Sequence, residues 1–298
     1  MKFDDIANEL GICGIEYVTL ENTADLVSFK IGGKARLVVY PKNINEMIAT
    51  LCILKKATTI ILGKGTNCYF DNSLLNIVVI VTKYLNRVSV CTDTVNCQCG
   101  ASINKICMLS CENSLSGMEF AYGIPGSIGG AVYMNASAFG FSMSDIVNQT
   151  VAFDIENNKI ITFDNSSHRF GIKDSIFRNN RFVILECSLE LSFGKQEIIK
   201  ARMQEYWYRR KNSQPLDMPS AGSTFVNPNG EHASKLIDLC GLKGYTVGGA
   251  QVSTKHAGFI VNTGSATASD VNRLIKIIKE KVNEKFNVEL NQEILYIK

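Results

Sequence analysis

Proline is scarce in this 298-residue chain, five copies in all, and the sequence contains no proline-rich or other low-complexity tract and no internal repeat. Net charge is small as well. A surplus of +3, spread along the chain, gives no basic stripe of the kind that tracks a phosphate backbone, so no nucleic-acid partner is expected. No run of 18 apolar residues occurs, which excludes a membrane-spanning helix. The first residues, Met1 to Ile6, carry Asp4 and Asp5 where a secretory signal has a basic start and an apolar core, so the protein is expected in the cytoplasm. Two nucleotide motifs are missing. Lys64 is followed by Gly65 and not by Ser or Thr, which rules out a Walker loop, and Gly63 and Gly65 have no third glycine at Cys68, which rules out the dinucleotide fingerprint of a Rossmann unit. Of three histidines, His168 and His232 sit in no motif and receive no role.

Cysteine is the exception to this scarcity, with ten copies. Cys97 and Cys99 alternate on one face of an expected strand, and Cys107 and Cys111 share one face of an expected helix. Their Cys-x-Cys spacing is not that of a structural zinc site, so no metal is expected and the thiols read as reduced, small hydrophobes.

With 46% apolar and 20% charged residues, the chain has the composition of a soluble globular protein of about two domains. Its most informative stretch is Gly123, Ile124, Pro125, Gly126, Ser127, Ile128, Gly129, Gly130 and Ala131, running on to Asn135. Glycine lets backbone N–H groups converge into an anion-binding nest. A second such segment, Gly63, Lys64, Gly65, Thr66 and Asn67, follows the apolar run Ile60 to Leu62. Either alone reads equally well as a tight turn, whereas two phosphate cradles in one chain point to a dinucleotide.

The sequence divides into three parts. Residues 1–82 read as an α/β unit, with a helix over Asn45 to Lys55 and strands at Thr58 to Leu62 and Asn76 to Thr82; the β-rich end, 287–298, is a candidate to join it. Residues 83–200 alternate short strands with a helix from Ile103 to Leu115 and a hairpin turning at Asn157 and Asn158. Residues 201–286 follow a polar helix, Lys195 to Lys211, that Pro215 and Pro219 terminate; they hold helices at Glu231 to Leu239 and Ser269 to Lys285 and a strand at Gly258 to Asn262.

Five segments in order resemble the bacterial UDP-N-acetylenolpyruvoylglucosamine reductases of the shorter type: Phe29 to Ala35, Ile61 to Asn67, Gly123 to Ala136, Pro219 to Phe225 and Val252 to Asn262. The resemblance implies an α+β fold, a two-domain FAD-binding module of the vanillyl-alcohol-oxidase type followed by an α+β substrate-binding domain. It implies a monomeric enzyme in which hydride passes from NADPH by way of FAD to UDP-N-acetylglucosamine enolpyruvate, giving UDP-N-acetylmuramate for peptidoglycan synthesis. FAD is then the guest of Gly63 to Asn67 and of Gly123 to Ala131 with Asn135.

Hydride addition to a vinyl ether beside a carboxylate pushes electrons onto the carboxylate oxygens, so the site needs donors aimed there and an acid for the neighbouring carbon. By motif position, Ser223 is that proton donor, although taken alone it reads as a turn serine. Glu293 matches the acidic residue beside the substrate carboxylate, with a raised pKa expected. Glu289 shares its face if Val288 to Ile297 is one strand, so geometry does not separate the two. Lys173 stands where the family usually has arginine, and Ile172 where it has tyrosine. Lysine keeps the charge but loses the planar fork. Ser137 and Phe139 likewise replace a usual glycine and tyrosine. Asn227 and His256 match substrate-contacting positions, and Arg210 and Lys211 are candidates for the diphosphate or simply solvated charges at a helix end. The alternatives are a non-catalytic FAD- or UDP-sugar-binding homologue disabled at Ile172 and Lys173, and another flavin oxidoreductase on the same fold.

Overall fold

The computed structural model describes residues 3–54, 57–228 and 230–298. Internal contacts divide the chain into one unit of Met1–Thr19, Leu37–Lys64 and Ile77–Arg209 and another of Leu20–Arg36, Gly65–Asn76 and Arg210–Lys298. Met1 and Lys2 of the N-terminal segment, and Lys55 at the expected end of the first long helix, lie outside the described residues.

The first unit is built on a five-stranded antiparallel sheet in the order Lys159–Asp164, Val147–Asp154, Phe182–Glu190, Thr94–Gln98, Val88–Cys91. The expected hairpin is its first pair, closing at Asp154 opposite Lys159 with Asn158 left-handed at φ 50°. A fully buried carboxylate organises that turn. Asp154 accepts from the N–H groups of Glu156 and Asn157 and from Nε and Nη2 of Arg181 at 3.2 and 2.7 Å, which holds its carboxyl far below the usual range. The Ile103–Glu112 helix buries Ile103, Ile106, Cys107 and Cys111 on one stripe. Cys97 faces Cys187 across two strands, and burial pushes the thiols of Cys97 and Cys99 up to about 12.

A four-stranded sheet runs Tyr17–Asn22, Lys34–Val39, Leu75–Val81, Thr59–Leu62. Its last two strands are parallel, and Leu75–Val81 is buried at all positions but one, as the unbroken apolar run of a covered parallel strand requires. The Ile44–Ile53 helix starts where Asn43 Oδ1 accepts the Glu46 N–H at 2.9 Å. Thr59–Leu62 then delivers the chain to Gly63.

The second unit pairs Ser220–Ser223, Phe259–Asn262, Ala250–Val252 and Thr246–Val247 into an antiparallel sheet. The Ala268–Phe286 helix begins in a reciprocal capping box between Thr267 and Asp270 and buries Val271, Leu274, Ile275, Ile278 and Val282. The C-terminal strand is shorter than the β-rich composition suggests. Only Leu295–Ile297 is strand, parallel to Cys68–Phe70, because residues 291–293 turn instead to Thr224–Val226: Val226 N–H donates to Asn291 O at 2.9 Å and Glu293 N–H to Thr224 O at 2.8 Å. Period-two alternation therefore does not hold between Glu289 and Glu293, and the structure separates them, Glu289 exposed and Glu293 partly buried.

His168 is a core residue. Its Nε2 meets Thr150 Oγ1 at 2.8 Å, its Nδ1 meets Asn165 O at 3.2 Å, and its ring stacks on Phe170 at 4.9 Å. A carbonyl accepts only, so Nδ1 carries the proton and Nε2 takes the Thr150 hydroxyl. Burial lowers its pKa below the model-compound 6.5. An unfolded histidine takes up its proton near 6.5 while the folded one resists, so this contribution to stability is complete above 6.5 and is lost as pH falls towards the lower folded value. Urea denaturation should accordingly give lower stability at pH 5 than at pH 7, with the difference reduced in His168→Gln. Identical pH dependence in parent and variant would contradict this assignment.

Candidate active site

Between Gly63 and Asn67 the carbonyls of Gly65 and Asn67 accept from Ser28 and Leu295, at 3.0 and 2.9 Å, while the N–H groups of all five residues donate to no acceptor among the described residues. The second glycine segment behaves differently. Gly123 N–H donates to Asn104 Oδ1 at 2.7 Å, Ile124 N–H to Ala121 O at 3.0 Å, Gly129 N–H to Cys99 O at 2.8 Å and Ala131 N–H to Ser127 O at 2.9 Å. Pro125 has no N–H. Gly129, Gly130 and Ala131 lie in a short helix, Ile128–Tyr133, whose N-cap Ser127 accepts from Gly130 N–H at 3.4 Å. What remains are the amides of Gly126 and Ser127, both on buried residues and both without an acceptor among the described residues. Orphaned amides on buried residues are rare, and a row of them suits an anionic guest. The two segments touch within the first unit. A Cβ on Gly63 would stand 2.1 Å from Ser127 Oγ, and Lys64 Nζ lies 3.0 Å from Ser102 Oγ.

Asn135, at φ 43°, is a bracket: its Nδ2 donates to Gly171 O at 2.9 Å and its Oδ1 accepts from Ser144 N–H at 3.0 Å. The first bond ties the end of the glycine segment to the turn Gly171–Asp174, closed by Gly171 N–H to Asp174 O at 3.0 Å. Lys173 occupies that turn at φ 56°, with its carbonyl held by Arg178 Nη1 at 2.6 Å and its Nζ 3.3 Å from Ser137 Oγ. Ile172 is 79% exposed.

In the second unit, three sequence-distant segments meet. Gly222 at φ 81° bulges the strand between its pairings at Ser220 and Ser223, leaving Ser223 exposed beside buried Thr224. Thr224 O accepts the Glu293 N–H, and Glu293 O accepts from Asn67 Nδ2 at 3.4 Å. The candidate proton donor and the candidate acid are thus carried on adjoining backbone, joined to a residue of the first glycine loop.

Asn227 receives the Ala233 N–H on Oδ1 at 3.1 Å and places Nδ2 3.3 Å from His232 Nδ1. His232 and His256 line one cavity of ≈ 590 Å³ together with Lys235, Lys243 and Lys255. His256 Nδ1 accepts from Gly258 N–H at 3.1 Å, and burial lowers its pKa, so its ring is neutral with Nε2 as a donor. Asp238, also in the lining, is paired to Lys243 at 2.6 Å, so cationic side chains predominate there. Lys255 Nζ holds Lys211 O at 2.6 Å, the Lys211 side chain is exposed, and Arg210 is buried. Sequence reasoning passed over His232, Lys235, Lys243 and Lys255, which carry no local signal: only the folding of residues 231–257 gathers them.

Residues 214–297 match the UDP-N-acetylenolpyruvoylglucosamine reductase C-terminal domain, and residues 35–164 match an FAD binding domain. A UDP-N-acetylenolpyruvoylglucosamine reductase of Pseudothermotoga lettingae is 46% identical over 90% of this chain and 93% of its own length. That of Thermotoga sp. strain RQ2 is 38% identical over 98% and 97%. Among solved structures, UDP-N-acetylenolpyruvylglucosamine reductase from Thermus caldophilus superposes with a TM-score of 0.81 at 28% identity, covering 95% of this chain and 99% of that one.

The close approach of Gly63 to Ser127 generates a test. Gly63→Ala drives its methyl into Ser127 Oγ, at an overpacking cost of about 1–3 kcal/mol. Urea denaturation should show that loss of stability in Gly63→Ala. Adding Ser127→Ala should recover part of the loss. Parental stability in Gly63→Ala would contradict the placement.

Proposed function

The chain belongs to the UDP-N-acetylenolpyruvoylglucosamine reductase family, and from that membership we propose that it reduces UDP-N-acetylglucosamine enolpyruvate to UDP-N-acetylmuramate for peptidoglycan synthesis, with FAD as cofactor and NADPH as hydride donor. The observation that carries this reading is the backbone pairing, within the second unit, of Glu293 with Thr224, the residue after Ser223, together with the Asn67 side chain on the Glu293 carbonyl. The residues fit the cofactor. The amides of Gly63 to Asn67, Gly126 and Ser127 supply donors for its diphosphate, and Asn104, Ser102 and Asn135 hold the surrounding segments in place. Bound FAD supplies the relay of hydride from NADPH to the substrate.

The protein supplies charge and a proton. Lys173 directs its ammonium to the oxygens of the enolpyruvyl carboxylate as they gain electron density, and Ser223 Oγ delivers the proton to the carbon beside that carboxylate. Glu293, as the protonated acid, donates a hydrogen bond to the same carboxylate. Asn227 and His256 contact the UDP-sugar, and the cationic lining of the cavity that holds His256, where Lys255 Nζ donates to Lys211 O, suits its diphosphate, with Lys211 and Arg210 as further candidates. We read the three parts 1–82 with 287–298, 83–200 and 201–286 as two flavin-binding subdomains and a substrate domain, in a monomeric, cytoplasmic enzyme. Leu295–Ile297 pairs in parallel with Cys68–Phe70, a segment of 1–82 that lies with Arg210–Lys298 in the second unit. Among the described residues no helix is long and apolar enough to cross a membrane. The exposure of Ile172 weighs against a pocket blocked at that position, and the match over 214–297 against a different flavin oxidoreductase.

Stopped-flow absorbance separates the two half-reactions. Ser223→Ala should leave reduction by NADPH near the parental rate and slow reoxidation by the enolpyruvyl substrate by about 10²–10⁴, the usual contribution of a general acid. Unchanged reoxidation would remove Ser223 from the chemistry, and a parent whose reduced flavin is not reoxidised by the substrate would defeat the reductase reading.

A further inference from the structure

The backbone of the turn bearing Lys173 is fixed from three sides: Asn135 on Gly171 O, Arg178 on Lys173 O, and Ser175 Oγ on Tyr133 O at 2.8 Å. None of these bonds orients the ammonium, which rides on a flexible four-carbon stem as a point charge. Ser137 is placed to do so. Its Oγ lies 3.3 Å from Lys173 Nζ, and its backbone is paired. It pairs with Ser142 in the hairpin Ser137–Ala138 and Phe141–Ser142, whose turn is set by Phe139 and Gly140 at φ 54° and 87°. The Phe139 ring stacks on Tyr206 at 4.4 Å and 11°. Ser142 is itself locked by a capping box with Asp145.

We propose that Ser137 is a positioning residue for the reduction step, its hydroxyl accepting from the Lys173 ammonium and holding that charge towards the substrate carboxylate. The inference rests on the reading of Lys173 given above.

The test is a set of holoenzymes: parent, Ser137→Ala, Lys173→Ala, Lys173→Arg, and Ser137→Ala combined with each Lys173 variant. A hydrogen bond of ordinary net strength predicts that Ser137→Ala slows substrate-driven flavin reoxidation by about two- to tenfold. FAD content and reduction by NADPH should not change. In the Lys173→Ala and Lys173→Arg backgrounds the same substitution should have no effect, since there is no ammonium to orient. A purely structural serine would cost as much in those backgrounds as in the parent, and that outcome overturns the proposal. A second readout is independent of turnover. In a ¹H–¹⁵N spectrum at mildly acidic pH and low temperature, a hydrogen-bonded lysine ammonium exchanges slowly enough to be detected. The signal missing from Lys173→Ala should be present in the parent and lost or broadened in Ser137→Ala. An identical signal in Ser137→Ala overturns the proposal even if rates fall. If Lys173→Ala reoxidises at the parental rate, the reading of Lys173 fails, and the proposal with it, whatever the spectrum shows.

Discussion

A backbone N–H on a buried residue needs an acceptor, and the amides of Gly65, Gly126 and Ser127 have none among the described residues. Two elements of the first unit bring Gly63 and Ser127 together. The parallel strand Thr59–Leu62 aims the chain into Gly63, and the cap of the Ile128–Tyr133 helix places Ser127 against it. The neighbouring donors at Gly123, Gly129 and Ala131 are absorbed by Asn104 Oδ1 and by carbonyls. Only a short set of amides stays open, which gives an anion a defined seat in place of a generally polar loop. Residues 35–164 match an FAD binding domain, and the diphosphate of FAD is the anion proposed above for these amides.

Charge is handled by a different device in each place. Asp154 takes two N–H groups and Arg181, so its negative charge is structural. The cationic cavity of the second unit keeps Lys235 and Lys255 among its lining, with Lys243 tied to Asp238. Lys173 is held by its backbone and places its ammonium 3.3 Å from a serine hydroxyl.

Features with a local cause were legible in the sequence. The hairpin at Asn157 and Asn158, the shared face of Cys107 and Cys111, and the long helices near 44–53 and 268–286 follow from turn chemistry, periodicity and caps. The glycine segments could be located but not apportioned: whether Gly129 N–H faces a ligand or Cys99 O depends on a strand thirty residues earlier. The same limit explains the C-terminus. Val288 to Ile297 has strand composition, but residues 291–293 leave the ladder to pair with Thr224–Val226, a long-range contact that also resolves Glu293 from Glu289. His232, Lys235, Lys243 and Lys255 share a cavity through the packing of residues 231–257, and the Ser137 contact to Lys173 joins a hairpin to a turn; neither leaves a trace in local sequence.

The central claim, that the unpaired amides of Gly63 to Asn67 and of Gly126 and Ser127 hold the FAD diphosphate, is open to residue-resolved amide hydrogen exchange with and without FAD. The account predicts strong added protection at those amides on flavin binding, with little change at Gly129 and Ala131, which are already bonded within the chain. Protection confined to Gly129 through Ala131, or no difference at Gly63 to Asn67, would contradict it.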